Sequence, residues 1–373
     1  MKLEYTIGGI IVVALVIGAL VYVGGDTMNI SLPENITDRT LTAEEKAARY
    51  VKAPELVEPD GYINTPRLPS GVAGPITLSE LAGDKVVLLD IWTYSCINCQ
   101  RTLPYLRAWH EKYRDEGLVI IGLHTPEFAF EKVLANVEKA VQGFQLTYPV
   151  VLDNEYETWN AYGNNYWPRK YLIDIDGYIV YDHIGEGAYE ETEKQIQKAL
   201  AERAKRLGGE MPDSRIAAEN VVAPRPERVR SPETYFGAWR NENLGNGTAF
   251  AEGEQTLTIP ERLVPDALYL GGSWKIEREY AESTSSGARI HFSYDSKDVY
   301  FVASAEEAVR IRVTRDGGAS LGEARGADVA PDGIATIRED RLYRLIEDSD
   351  YAEHTIEIEI LTPNLKAYTF TFG

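Results

Sequence analysis

Two cysteines stand three apart as Cys96-Ile97-Asn98-Cys99, and the 373-residue chain contains no others. The apolar run 86–92 before them reads as a strand, and residues 101–114 after them carry helical spacing. A Cys-x-x-Cys pair at a strand-to-helix junction suits dithiol–disulfide chemistry. The first sulfur then lies over the free N–H groups of a helix N-terminus, where the helix dipole favours thiolate over thiol. Any disulfide within one molecule must join these two residues, which marks a redox centre rather than part of a structural framework. A tetrahedral zinc site needs further ligands. The histidines (His110, His124, His183, His291 and His354) are scattered, and no second Cys-x-x-Cys is present. The expectation is therefore no metal and no bound cofactor beyond the Cys96–Cys99 pair itself.

Strands and helices alternate around that pair. Strands are expected at 86–92, 118–123 and 149–152, and helices at 101–114, 131–142 and 155–162. A hairpin follows, with arms 170–174 and 178–183 turning at Asp176-Gly177, and an amphipathic helix over 190–207 closes the unit. Parallel pairing first and antiparallel pairing at the end is the thioredoxin order, so residues 60–207 are read as an α/β thioredoxin fold. Residues 208–232 form a proline-bearing linker. From 233 to 373 the periodicity becomes two, with strands at 255–259, 274–280, 288–294, 298–303, 309–315, 341–346, 354–361 and 366–372. That region is expected to be an all-β sandwich of jelly-roll type.

The net charge of −20 leaves no basic stripe for phosphate contacts, so no nucleic-acid partner is expected. Residues 7–23 are an unbroken apolar and glycine run, long enough to cross a thin or average bilayer. Lys2 precedes the run, while Asp26, Glu34 and Asp38 follow it before the first arginine, Arg39. The positive-inside rule then places the bulk of the chain outside the cytoplasm. Residues 1–25 are read as a transmembrane anchor, with a cleaved signal peptide as the rival, and 26–59 as a tether containing one short helix near residues 42–52.

The segment from Trp92 through Cys96 and Cys99 to Leu106, with Tyr166-Trp167-Pro168 and Gly185-Glu186-Gly187 downstream, resembles the extracytoplasmic part of DipZ-type proteins. These belong to the TlpA/ResA-like branch of thioredoxins. The resemblance implies that Cys96 is the nucleophile and Cys99 the buried resolving thiol. It makes Asp90 the carboxylate that takes and returns the Cys99 proton, Pro168 a cis-proline facing the disulfide, and Glu127 an active-site glutamate. A hydrogen-bonded aspartate, an ordinary turn proline and a solvated loop charge are the plainer alternatives for those three. Trp92, Tyr94, Ile97, Asn98 and Trp167 are expected to line the substrate site, and Pro104 to kink the helix. Ser95 replaces the tryptophan usual before the first cysteine, and Ile97-Asn98 replaces the familiar proline-containing dipeptides. These departures leave the reduction potential open.

The run 354–361 followed by 367–373 resembles the carbohydrate-binding-module-like C-terminal domain of DipZ proteins. Tyr235, Phe236, Trp239, Tyr269 and Trp274 are candidates for a glycan platform, with core packing as the plainer reading of each. The multi-helix electron-transporting domain found in many DipZ proteins is not expected here, so a separate CcdA-type membrane protein would supply electrons. The resulting expectation is a single-pass, membrane-anchored extracytoplasmic thiol–disulfide oxidoreductase. It would reduce or isomerise disulfides of exported proteins, apocytochrome c among the possible clients. The rivals are a glycan- or protein-binding module with the thioredoxin unit as scaffold, a thiol peroxidase (with Thr93 three before Cys96 but Leu89 where a proline belongs), and a copper chaperone.

Overall fold

Seven consecutive aliphatic and aromatic positions interrupted only by Asp90 make β3 (Val86–Trp92) a strand buried on both faces. That is the pattern of a central strand in a sheet with helices on either side. It pairs in parallel with β4 (Leu118–His124), which pairs in parallel with β5 (Val150–Leu152). On its other edge lies β6 (Arg169–Ile173), antiparallel, followed by β7 (Tyr178–Ile184). Two short strands complete the edges, β1 (Val51–Lys52) against β7 and β2 (Gly61–Ile63) against β5. The order is β1-β7-β6-β3-β4-β5-β2, the thioredoxin arrangement with an added strand at each side.

The computed structural model describes residues 41–215, 217, 221 and 230–373. The expected anchor, residues 26–40 of the tether and most of the linker's second half lie outside these residues. Among the described residues no helix is long and apolar enough to cross a membrane.

The two faces of the sheet divide by period two. Val86, Leu88 and Trp92 pack with α3 (Ile97–Tyr113), α4 (Leu134–Gly143) and α6 (Tyr189–Leu207). Val87, Leu89 and Ile91 face α2 (Leu78–Leu81), α5 (Glu157–Ala161) and the segment around Leu56. The helix expected from 131 begins instead as a 3-10 turn, Ala129–Lys132, before α4. Pro104 is accommodated inside α3, where it removes one backbone donor.

The tether reading needs correction over residues 43–59. Helix α1 is shorter than expected, Ala43–Arg49, because Val51 and Lys52 enter the sheet opposite Ile179 and Tyr178. Lys46 is 2 % exposed and its ammonium lies within 2.6 Å of carboxylates of Asp174, Asp176 and Glu202. Burial opposes that charge, but the hydrogen bonds to the three carboxylates outweigh it and hold the group well above its ordinary pKa. The segment is thus fastened to the thioredoxin unit, not strung away from it.

The C-terminal domain is wholly β apart from one 3-10 turn. Its strands are β8 (Thr234–Tyr235), β9 (Gly253–Leu257), β10 (Leu268–Ile276), β11 (Ala281–Ser283), β12 (Arg289–Ser304), β13 (Val309–Arg315), β14 (Ile334–Ile337), β15 (Arg341–Ile360) and β16 (Lys366–Phe372). Four expected short strands merge into the two long ones, β12 and β15, which pair along almost their whole length with bulges near Ser296 and Val299. β12 also pairs with β10 and with β16, and β11 joins β10 to β16. β10, β11, β16 and β12 thus form a closed run of pairings, and Trp274, Phe292, Phe301 and Phe370 lie in the buried core of the domain.

Candidate active site

Strand β3 ends at Trp92 and the chain turns into α3 with Cys96 as its N-cap. The Cys96 Sγ accepts the backbone N–H of Cys99 at 3.4 Å, so the sulfur occupies the place of a capping oxygen among the unpaired amides of the first turn. Cys96 is partly exposed, and Cys99, one turn on, is buried. Burial and the neighbouring Cys96 raise the Cys99 thiol well above its ordinary pKa, and Asp90 adds to the effect. The outer sulfur is thus the more accessible of the two, and the inner one is held as a thiol.

Asp90 is a buried carboxylate in the strand that leads into the dithiol loop. It is 1 % exposed, and among the described residues neither carboxylate oxygen has a hydrogen-bond partner. Burial pushes its pKa up to about 7, and the charge of Lys170 moderates the rise. Lys170 stands directly across the β3–β6 ladder from Asp90 and is itself fully buried, its ammonium donating to the Gly185 carbonyl at 3.1 Å. Burial lowers the Lys170 pKa while Asp90 and Cys99 oppose the fall. Tyr148, whose buried hydroxyl also lacks a partner, completes this proton-bearing group behind the dithiol.

The loop into the site is held by Glu131, a residue the sequence reading placed only at a helix start. It is fully buried and accepts four hydrogen bonds, from the Ser95 N–H (3.2 Å), the Ser95 hydroxyl (2.7 Å), the Glu127 N–H (2.6 Å) and the Phe128 N–H (3.0 Å). Burial raises its pKa, hydrogen bonds from Thr93, Ser95 and the Phe128 N–H oppose the rise, and the nearby Glu127 carboxylate adds to it. Nothing in the local sequence separates Glu131 from an ordinary acidic residue in a first helical turn. His124 props the same loop, its ring nitrogen 3.3 Å from the Tyr94 N–H. Burial drives its pKa down to about 3, so it stays neutral.

Cys96 opens into a cleft of about 270 Å³ lined by Ile97, Asn98, Arg101, Glu127, Trp167 and Glu186 on one side, and by Ser231, Glu233, Thr371 and Phe372 of the β domain on the other. The Trp167–Pro168 bond is cis, and the Trp167 indole donates to the Thr125 carbonyl at 3.0 Å. Arg101 is gripped by both oxygens of Glu186 at 2.9 Å and itself donates to Asn98 at 2.6 Å. Ile97, Asn98 and Trp167 are thus at the cleft. Trp92 and Tyr94 are not. Trp92 is fully buried in the core, where a Cβ on Gly122 would come within 2.9 Å of its indole nitrogen. Tyr94 stacks on His124 and points its hydroxyl at the Asp340 carbonyl, 3.0 Å away on a different groove. Glu127 is not a solvated loop charge, since its carboxylate meets Arg240 and Tyr235 of the β domain.

Of the aromatics considered for a glycan platform, Phe236, Tyr269 and Trp274 are core residues and Tyr235 is engaged with Glu127. Trp239 is exposed.

A thioredoxin fold carrying Cys-x-x-Cys at a helix N-terminus, with a buried carboxylate behind it, defines a dithiol protein of the thioredoxin class. Residues 57–182 match the AhpC/TSA family, and residues 231–373 match the family described as thioredoxin like C-terminal domain. Protein DipZ of Mycobacterium tuberculosis is 37% identical over 321 residues, covering 86% of this chain and 43% of the relative. The thiol-disulfide oxidoreductase ResA of Bacillus thuringiensis is 32% identical over 123 residues, 33% of this chain and 68% of ResA. Among solved structures, a putative thiol:disulfide interchange protein DsbE from Chlorobium tepidum aligns with a TM-score of 0.34 at 25% identity, over 40% of this chain and 96% of that one. The chain belongs to the ResA-like thiol–disulfide oxidoreductases and shares with DipZ the joining of such a unit to a C-terminal β domain. It spans less than half the length of the DipZ relatives, 43%.

Proposed function

We propose that this protein reduces or isomerises disulfides of exported proteins from a membrane-anchored, extracytoplasmic position, and that a separate CcdA-type membrane protein returns electrons to it. The observation that carries the reading is the division of labour within the pair, with Cys96 at the helix cap facing the cleft and Cys99 buried beside Asp90. The apolar run at 7–23 and the charges flanking it support the location.

In the first step the Cys96 thiolate attacks one sulfur of the substrate disulfide. A mixed disulfide forms and the other substrate sulfur leaves as thiolate. Asp90 then takes the Cys99 proton, and the Cys99 thiolate attacks the Cys96 sulfur. The Cys96–Cys99 disulfide closes, the substrate leaves as a dithiol after taking up two protons, and Asp90 returns its proton through the site. Two electrons have passed from the pair to the substrate, and an external dithiol must restore them. Apocytochrome c is one client class that fits this chemistry. A glycan bound by the β domain would act by placing the enzyme near its clients.

A variant in which Cys99 is replaced by serine tests the order of attack. It should stall as a mixed disulfide through Cys96 with a disulfide-bearing protein, released by dithiothreitol and visible on non-reducing gels. Trapping through Cys99 in a Cys96→Ser variant, and none in Cys99→Ser, would reverse the assigned roles.

A further inference from the structure

The segment between β4 and α4 touches both the dithiol and the β domain. Glu127 lies on the wall of the cleft that holds Cys96. Its Oε1 accepts from the Arg240 guanidinium at 2.7 Å and lies 2.9 Å from the Tyr235 hydroxyl, which is also 2.7 Å from Glu233. The guanidinium stacks over the Tyr235 ring at 3.7 Å, so its fork is held in place by the aromatic face. The backbone N–H of Glu127 donates to Glu131, whose other oxygen holds Ser95, the residue before Cys96. Hydrogen bonds and the chain itself therefore link Arg240 through Glu127 and Glu131 to Ser95, the residue before Cys96. Two further contacts dock the same segment. The Ala129 N–H donates to Glu279 at 2.9 Å, and the rings of Phe128 and Phe130 meet Tyr368 edge-on at 5.1 and 4.9 Å.

We propose that Arg240, supported by Tyr235, is a positioning residue of the dithiol site: the β domain fixes the Glu127 carboxylate on the cleft wall and offsets its charge, so that it does not oppose the Cys96 thiolate. The inference rests on the dithiol reading above. A carboxylate sharing a cleft with a thiolate disfavours it, and a guanidinium on that carboxylate cancels most of the field. Exposed ion pairs do little, but the Glu127 side chain is only 9 % exposed, and charges withdrawn from water are screened less. The β domain on this account belongs to the redox machinery and is not a passive attachment.

The test is the rate at which iodoacetamide alkylates Cys96 at pH 7 in the full chain, with Cys99 replaced by serine so that a single thiol reports. R240Q should slow the reaction roughly three- to tenfold, through the uncovered Glu127 charge. The double variant E127Q/R240Q should recover to within about twofold of the unmodified background, because the two lost charges cancel. R240K, which keeps the charge without the fork, should fall between. A role in packing alone leaves the double variant as slow as R240Q, and that result, or an unchanged rate in R240Q, overturns the proposal. If R240Q does not fold, E127Q is compared with its parent. A faster rate supports the proposal, and an unchanged or slower one overturns it. Alkylation reads the thiol alone, so a wild-type chain unable to exchange disulfides would sink the functional reading without deciding this comparison.

Discussion

Asp90 is the residue whose chemistry can be weighed most directly. A carboxylate that keeps its proton up to about pH 7 when folded, against about 4 in the unfolded chain, makes the folded state the stronger proton binder between those values. Stability from this group is therefore fully present below about pH 4 and declines as pH rises to about 7. Replacing Asp90 with asparagine should stabilise the protein at pH 8 by up to roughly 4 kcal/mol in urea unfolding, with the gain vanishing toward pH 4. The same change should slow mixed-disulfide resolution at neutral pH about a hundredfold, since the Cys99 proton loses its acceptor. Loss of stability at pH 8, or an unaffected resolution rate, would contradict the assignment. Asp90 was singled out through the resemblance to thioredoxins, and its place as the one charge in an apolar strand agreed with that reading. The sequence hid Lys170, whose relation to Asp90 depends on the register of two strands far apart in the chain, and Glu131, whose four donors come from three different positions.

Among the elements, the strand–loop–helix that carries the cysteines was legible because each part is local: an apolar run, a cap position and a helical period. β1 was not. Two residues that show no alternation gain their place only by pairing with β7, and the hydrophilic composition around them reads as tether. What fixes β1 is the Lys46 ammonium from α1, buried among three carboxylates contributed by the β6–β7 turn region and α6. Substituting Lys46 by methionine would leave Asp174, itself 2 % exposed, with an uncompensated charge, and should cost about 3–5 kcal/mol in urea unfolding. An unchanged midpoint would mean that residues 43–52 are not fastened to the domain in this way. A corollary is that fragments beginning near Asp60 lack a strand of the sheet.

At the scale of the whole molecule, the change of periodicity divided the chain in the sequence reading, but it carried no sign that residues of both parts line one cleft. Tyr300, Val302, Leu342 and Tyr368 of the β domain belong to the same buried cluster as Leu103, Trp109 and Cys99. Lys139 and Glu339 form an ion pair across the same boundary at 2.5 Å. Such contacts join residues more than a hundred positions apart and cannot be read from local spacing. They bring Thr371 and Phe372 to the rim around Cys96, so residues of both domains border the cleft. The direction of electron flow follows from the potential of the pair against that of its partner, so the reduction potential of Cys96–Cys99 in the intact chain, equilibrated against dithiothreitol or glutathione, is the most direct measurement. A reductase predicts a value near about −270 mV or lower; a value near about −120 mV, like that of the strong periplasmic oxidants, would contradict the account and make the protein a disulfide donor.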